Sequence, residues 1–346
     1  MTDRVSSLLG QPASAAVARI ALARLDEARS ACARIDDRGD PEALHDFRVA
    51  VRRLRTLVRA FSGELDDAIP KKLERRVRDL GRLTTAGRDA EVQLAWLREV
   101  GGAGGARRGP GLAWFRTRLE DRRDRAYDEI RRSVPHAFRG LERRLRRRFN
   151  GALVEPTGRV APFAPALARE LRAESATLRQ EFAIARSPSD TDAVHGARIA
   201  VKRMRYLLEP VGDGDANARS LVERLKRLQT ALGELHDLQI LLQEFGDAAA
   251  EAAAERVRRK HALLLRGATR GDRADGPRPS PAGVLAIANL AARRQDLVFA
   301  RDLAEWRDGA LEALAGDVAR WAGTRARLGV ARPRLSRVRI RHRAGR

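Results

Sequence analysis

Apolar residues recur at three- and four-residue intervals along nearly the whole chain, and strand-type alternation is almost absent. The pattern predicts an all-α protein. In the first half it places helices over 13–36, 41–61, about 66–86, 89–100, 111–133 and 136–149. Asp40 is positioned to cap the second of these, with Pro41 at its first turn and Gly63 beyond its end. The glycine cluster from Gly101 to Gly111 predicts a loop, and Pro135 predicts a break between the fifth and sixth helices.

Residues 151–165 carry Gly151, Pro156, Gly158, Pro162 and Pro165 and predict a linker between a first helical unit, 10–150, and a second, 166–327. The second unit repeats the order, with helices near 166–186, 191–209, 216–235, 238–267, 284–297 and 300–327 and a long loop over 268–283. The basic stretch 328–346 predicts a disordered tail.

The helix over 41–61 separates into two stripes at 3.6 residues per turn. Leu44, Phe47, Val51, Leu54, Val58 and Phe61 form the core face. His45, Arg48, Arg52, Arg55 and Arg59 form a cationic stripe beside it, with Arg53 off both. The arrangement returns 150 positions later. There Val194, Ala197, Val201, Met204 and Leu208 face the core, and His195, Arg198, Lys202 and Arg205 are the cations. Arg203 matches Arg53, and Glu209 replaces Arg59.

The next helix repeats at an offset of 148. Leu73, Val77 and Leu80 answer to Leu221, Leu225 and Leu228, and Lys71 and Arg78 to Arg219 and Lys226. Arg75 and Arg82 have no basic counterpart, which makes the first half the more basic wall. Arg88-Asp89 pairs with His236-Asp237. Each aspartate is expected to open a following helix as a cap and to orient nearby cations.

Composition sharpens this picture. The chain of 346 residues is 43% hydrophobic and only 4% aromatic, so the core must be built of aliphatic side chains. The net charge is +23, almost all of it arginine, which attracts polyanions: nucleic acid, polyphosphate or an anionic membrane. Like charges at i+3 and i+4 repel by a few tenths of a kcal/mol per pair when exposed. They repel more beside a low-dielectric core. A stripe without carboxylates between His45 and Arg59 therefore calls for an anionic ligand. One cysteine, Cys32, permits no internal disulfide, and no leader or membrane span is read from the chain, so a cytoplasmic protein without membrane association is expected.

The motif H-x-x-R-[VI]-x-x-[RK]-R-[LM]-R at His45–Arg55 and His195–Arg205, with the stretch Leu228–Asp237, resembles the CHAD family, the conserved histidine α-helical domain, over about residues 10–327. Leu80–Asp89 departs from the pattern, with Thr85 in place of the glycine. The resemblance implies two helical bundles related by a pseudo-twofold axis and sharing a basic cleft or pore. It also implies binding of inorganic polyphosphate and association with polyphosphate granules and their proteins. Carried onto this chain, the binding residues are His45, Arg48, Arg52, Arg53, Arg55, His195, Arg198, Lys202, Arg203 and Arg205. Lys71, Arg75, Arg78, Arg82, Arg88, Arg219 and Lys226 form a second tier.

Arginine's planar fork suits phosphate, and histidine protonation is expected to tighten binding below roughly pH 6.5. A histidine satisfied within the core is the plain structural alternative for His45 and His195. The chain reads as a binder, not an enzyme, with no cofactor and no metal. No Walker-type loop or acidic metal cluster is apparent in the sequence. A general polyanion or nucleic-acid binder is the alternative reading. Against it, Trp96, Trp114, Trp306, Trp321, Tyr127 and Tyr206 do not interleave with the cationic stripes in sequence. A helical scaffold for acidic partners and a polyphosphate phosphohydrolase are the remaining readings.

Overall fold

The computed structural model describes residues 8–37, 39–40, 42–65, 69–101, 109–154, 161–265 and 278–330. The helices are α1 (Ala13–Cys32), α2 (Glu42–Ala60), α3 (Lys71–Leu83), α4 (Thr85–Gly101), α5 (Gly109–Val154), α6 (Phe163–Ile184), α7 (Thr191–Gly212), α8 (Ala216–Leu265), α9 (Pro281–Leu297) and α10 (Leu311–Val330). Two π-helical turns, 298–302 and 306–310, join α9 to α10. Among the described residues the only strand-type pairing is an isolated bridge between Pro12 and Pro162. The fold is all-α.

Both repeated stripes bury their apolar sides as periodicity requires. Leu44, Phe47, Val51, Leu54, Val58 and Phe61 are buried, as are Val194, Ala197, Val201, Met204 and Leu208. Each such Leu, Val or Phe contributes roughly 1.5–3 kcal/mol through removal from water. Side-chain caps open α2 and α8. Asp40 accepts from the Glu42 and Ala43 amides at 3.0 and 3.1 Å, and Asp215 from Asn217 and Ala218 at 3.0 and 3.1 Å.

The five helices α1–α5 pack mainly among themselves, as do α6–α10. The two sets meet where α1 contacts α6, α2 contacts α7 and α5 contacts α9. Phe61 and Phe163 stack across this seam with ring centroids 5.3 Å apart. One continuous apolar core runs through both sets.

Two predicted breaks are absent. α5 passes through Pro135 without interruption. The lost hydrogen bond is offset by burial of Val134, Phe138, Leu141 and Leu145 along the same face. α8 continues through His236-Asp237 for 50 residues. Its buried leucines at 228, 232 and 235 hold it to the core. The first half does break at the corresponding place, but earlier than expected. The Thr84 hydroxyl donates to the Gly81 carbonyl at 2.8 Å, closing α3 locally. Asp89 and Asp237 therefore lie inside helices and cap neither. Most of the predicted glycine loop, the centre of the linker, most of the loop before α9 and nearly all of the tail (102–108, 155–160, 266–277 and 331–346) lie outside the described residues.

Candidate functional site

The cationic sides of α2 and α7 face one another across a cleft of about 640 Å³, closed below by α4 and α8. His45, Arg48 and Arg52 enter it from α2, Arg198 and Lys202 from α7, and Arg88 from α4. A recess of about 150 Å³ opens beside it. Arg48 and Arg52 line both spaces, and Arg55, Arg78 and Arg82 line the recess alone. Arg48 is held in place by the helix break described above: its Nη1 donates to the Thr84 hydroxyl at 2.7 Å, with the Gly81 carbonyl at 3.5 Å.

The remaining predicted residues separate from this group. Arg53 pairs with Glu209 at 2.8 Å, and Arg205 pairs with the same carboxylate at 3.2 Å. Arg203 pairs with Glu174 at 3.1 Å. Arg53 and Arg203 knit α7 to α2 and α6, and Arg205 pairs within α7; none of the three lines the cleft. Lys71 and Arg75 are exposed on α3, Arg219 donates to the Asp213 carbonyl, and Lys226 pairs with Glu223; none of the four lines the cleft or the recess. His195 lies at the edge, outside the cleft lining, with its ring 4.8 Å from that of His236.

The cleft also holds groups that stripe analysis missed. Asp89 and Asp237 project into it, and Arg198 approaches Asp237 at 3.6 Å. Their matched positions after Arg88 and His236 carry two expectations: the capping role fails because both lie inside helices, and Asp237 stands beside a cation, Arg198, as the second expectation has it. Trp96 lines the same cleft, so an aromatic ring does stand beside the cations, contrary to the sequence expectation. It comes from α4, too far along the chain for sequence interleaving to reveal it.

Six cations, Arg48, Arg52, Arg88, Arg198, Lys202 and Arg294, line the cleft with four carboxylates, Asp89, Glu99, Glu234 and Asp237, so positive charge is in excess. Burial, then the neighbouring Arg198 and Arg52, push the Lys202 ammonium down to about 6, with Asp237 opposing. Burial, with Arg52 and Arg88, lowers Arg48 to about 10, against Asp89. Burial above all lowers Arg198, and Arg52 adds to that while Asp237 opposes. His45 is lowered by burial and Arg88, and His195 by burial, Arg198 and Lys202. His236 falls to about 3 through burial, Arg198 and His195. In the ligand-free protein His45, His195 and His236 thus protonate below the ordinary histidine range. Burial raises Asp89 and Asp237, and the surrounding cations offset part of that rise.

Among the described residues no group of three or more His, Cys, Asp or Glu is placed to hold a metal ion, and no helix is long and apolar enough to cross a membrane. The sequence model of the CHAD domain matches residues 16–246, which include α2, α4, α7 and the cleft-lining part of α8. A crystal structure of the CHAD domain from the plant Ricinus communis superposes with a TM-score of 0.58 at 20% identity, covering 91% of each chain. Among curated proteins none matches the sequence.

Proposed function

The chain belongs to the CHAD domain family, and on that premise we propose that it binds inorganic polyphosphate in the cleft between α2 and α7. The observation that supports this most is that Arg48, Arg52, Arg198 and Lys202 enter one cleft, where burial above all, and Arg52 as their shared neighbour, lowers Lys202, Arg198 and Arg48. A linear chain charged at every unit supplies what the cleft lacks. The recess beyond Arg48 and Arg52 extends the same surface toward Arg55, Arg78 and Arg82. Arginine forks engage phosphate oxygens in pairs, and Lys202 acts as a point charge at the centre.

On this reading the two halves are related by a pseudo-twofold axis, which makes Arg48 and Arg52 the counterparts of Arg198 and Lys202. The protein is a binder that acts at polyphosphate granules in the cytoplasm, and it performs no turnover. Thermal melting with long-chain polyphosphate at matched ionic strength tests the reading. Ligand at about a thousand times its Kd adds about 4 kcal/mol. An unchanged melting temperature overturns it. Competition against duplex DNA and RNA separates it from general polyanion binding, for which displacement is equal per phosphate.

A further inference from the structure

The cleft has two unlike walls. Four of its cations, Arg48, Arg52, Arg198 and Lys202, stand on the α2 and α7 side, with Arg88 on α4 and Arg294 on α9. The α4 and α8 side presents the half-buried Trp96 and Val92, set among the carboxylates Asp89, Glu99, Glu234 and Asp237, with Leu238 and Leu241 buried in the same lining. A bare phosphate chain has no use for a flat aromatic and aliphatic surface. Among these side chains lies Gln93, which lines the cleft, is only 4% exposed, and has no hydrogen-bond partner for either its Nε2 or its Oε1. A buried amide left wholly unpaired is uncommon and calls for a partner. Its donor and acceptor lie side by side, and the complementary group presents an acceptor and a donor in the same spacing. The edge of a nucleobase does so. The flat face of that base needs a ring such as Trp96, and the phosphates it carries need Arg52, Arg198 and Lys202.

We propose that the cleft accepts a nucleoside oligophosphate, with its phosphates on the α2 and α7 cations, its base against Trp96 and the base edge paired with Gln93. This rests on the reading of the cationic wall as a phosphate site. The volume of about 640 Å³ falls within the range of pockets that enclose ligands of this size. Phosphate contacts alone do not distinguish such a ligand from inorganic polyphosphate; the second wall does.

The test compares ATP with inorganic tripolyphosphate by calorimetric titration of the full chain, without magnesium and at matched ionic strength. Both carry three phosphates, and only ATP carries a base. ATP is expected to bind about tenfold more tightly, the order of one base–aromatic stack. Trp96→Leu and Gln93→Leu are expected to abolish that advantage and leave tripolyphosphate binding unchanged. Because Trp96 packs edge-on to Phe245 at 6.0 Å, its variant could perturb the fold. Gln93→Leu guards against that, since it removes a buried unpaired amide and keeps the volume. Equal affinity for the two ligands in the unaltered protein overturns the proposal and spares the phosphate site. So does a Gln93→Leu variant that keeps the ATP advantage. Binding of neither ligand overturns both readings.

Discussion

Glu209 on α7 receives Arg53 from α2 at 2.8 Å, across the contact between the two helical sets. The same carboxylate takes Arg205 at 3.2 Å, and both guanidinium groups lie over the ring of Tyr206, 5.8 and 4.8 Å from its centroid. Glu209 is 13% exposed, so its removal would take the acceptor from the partly buried Arg205 and leave Arg53 with Glu27 at 3.9 Å. Glu209→Gln is expected to cost about 2 kcal/mol in urea denaturation. Arg203→Ala, whose Glu174 partner lies elsewhere, leaves this junction intact and serves as the comparison.

The cleft cations differ from the knitting arginines in what their loss does. Arg52→Ala and Arg198→Ala are expected each to weaken polyphosphate binding about tenfold and to reduce the slope of log affinity against log salt by about one. Helix content should hold, because neither residue belongs to the core. Lys71→Ala and Lys226→Ala, on exposed turns of α3 and α8, should change affinity less than twofold. Equal effects from both pairs would spread the site over the whole surface.

Lys202 predicts a proton linkage. In the free protein its ammonium titrates at about 6, far below the ordinary lysine value. A bound polyanion favours the charged form and returns the group toward its usual range. Binding between about pH 6 and 10 therefore takes up protons, and affinity rises as pH falls through that window. Calorimetry at pH 8.5 in buffers of different ionisation enthalpy should show an uptake approaching one proton per site. Lys202→Met should remove it. The histidines contribute little at that pH, because their own values lie below 6.5 before ligand arrives.

The crossing of α5 and α9 depends on two glycines. A Cβ on Gly111 would stand 2.6 Å from the backbone carbon of Gly283, and one on Gly283 would stand 2.9 Å from the Gly111 Cα. Backbone atoms cannot turn aside as a flexible side chain can. Gly111→Ala is expected to destabilise the protein by about 2 kcal/mol or more, read from its melting temperature, with polyphosphate affinity unchanged.

What could be read from the chain follows a physical division. The paired stripes of α2 and α7 were legible because core and cationic positions both obey the helical period. Arg53 and Arg203 sit in the same motif, yet their partners Glu209 and Glu174 lie at long range in sequence, whereas Arg205 meets Glu209 one turn along α7, a pairing that helical spacing already offers. Trp96 and Gln93 stood in an ordinary helix until α4 closed under the cleft. Pro135 and the His236-Asp237 pair misled for one reason: local signals for stopping a helix were outweighed by the packing of long helices on a shared core.

The uninterrupted course of α8 has a consequence for how the site meets its occupant. At 1.5 Å per residue this 50-residue helix is a rod about 75 Å long. Its first half forms the floor of the cleft, and its later turns are tied to α5 through Glu244, Glu251 and Glu255. Without a joint at Asp237 that floor cannot swing independently of the rest of the molecule. A guest therefore meets α8 as one continuous surface, with no hinge in the cleft floor at Asp237.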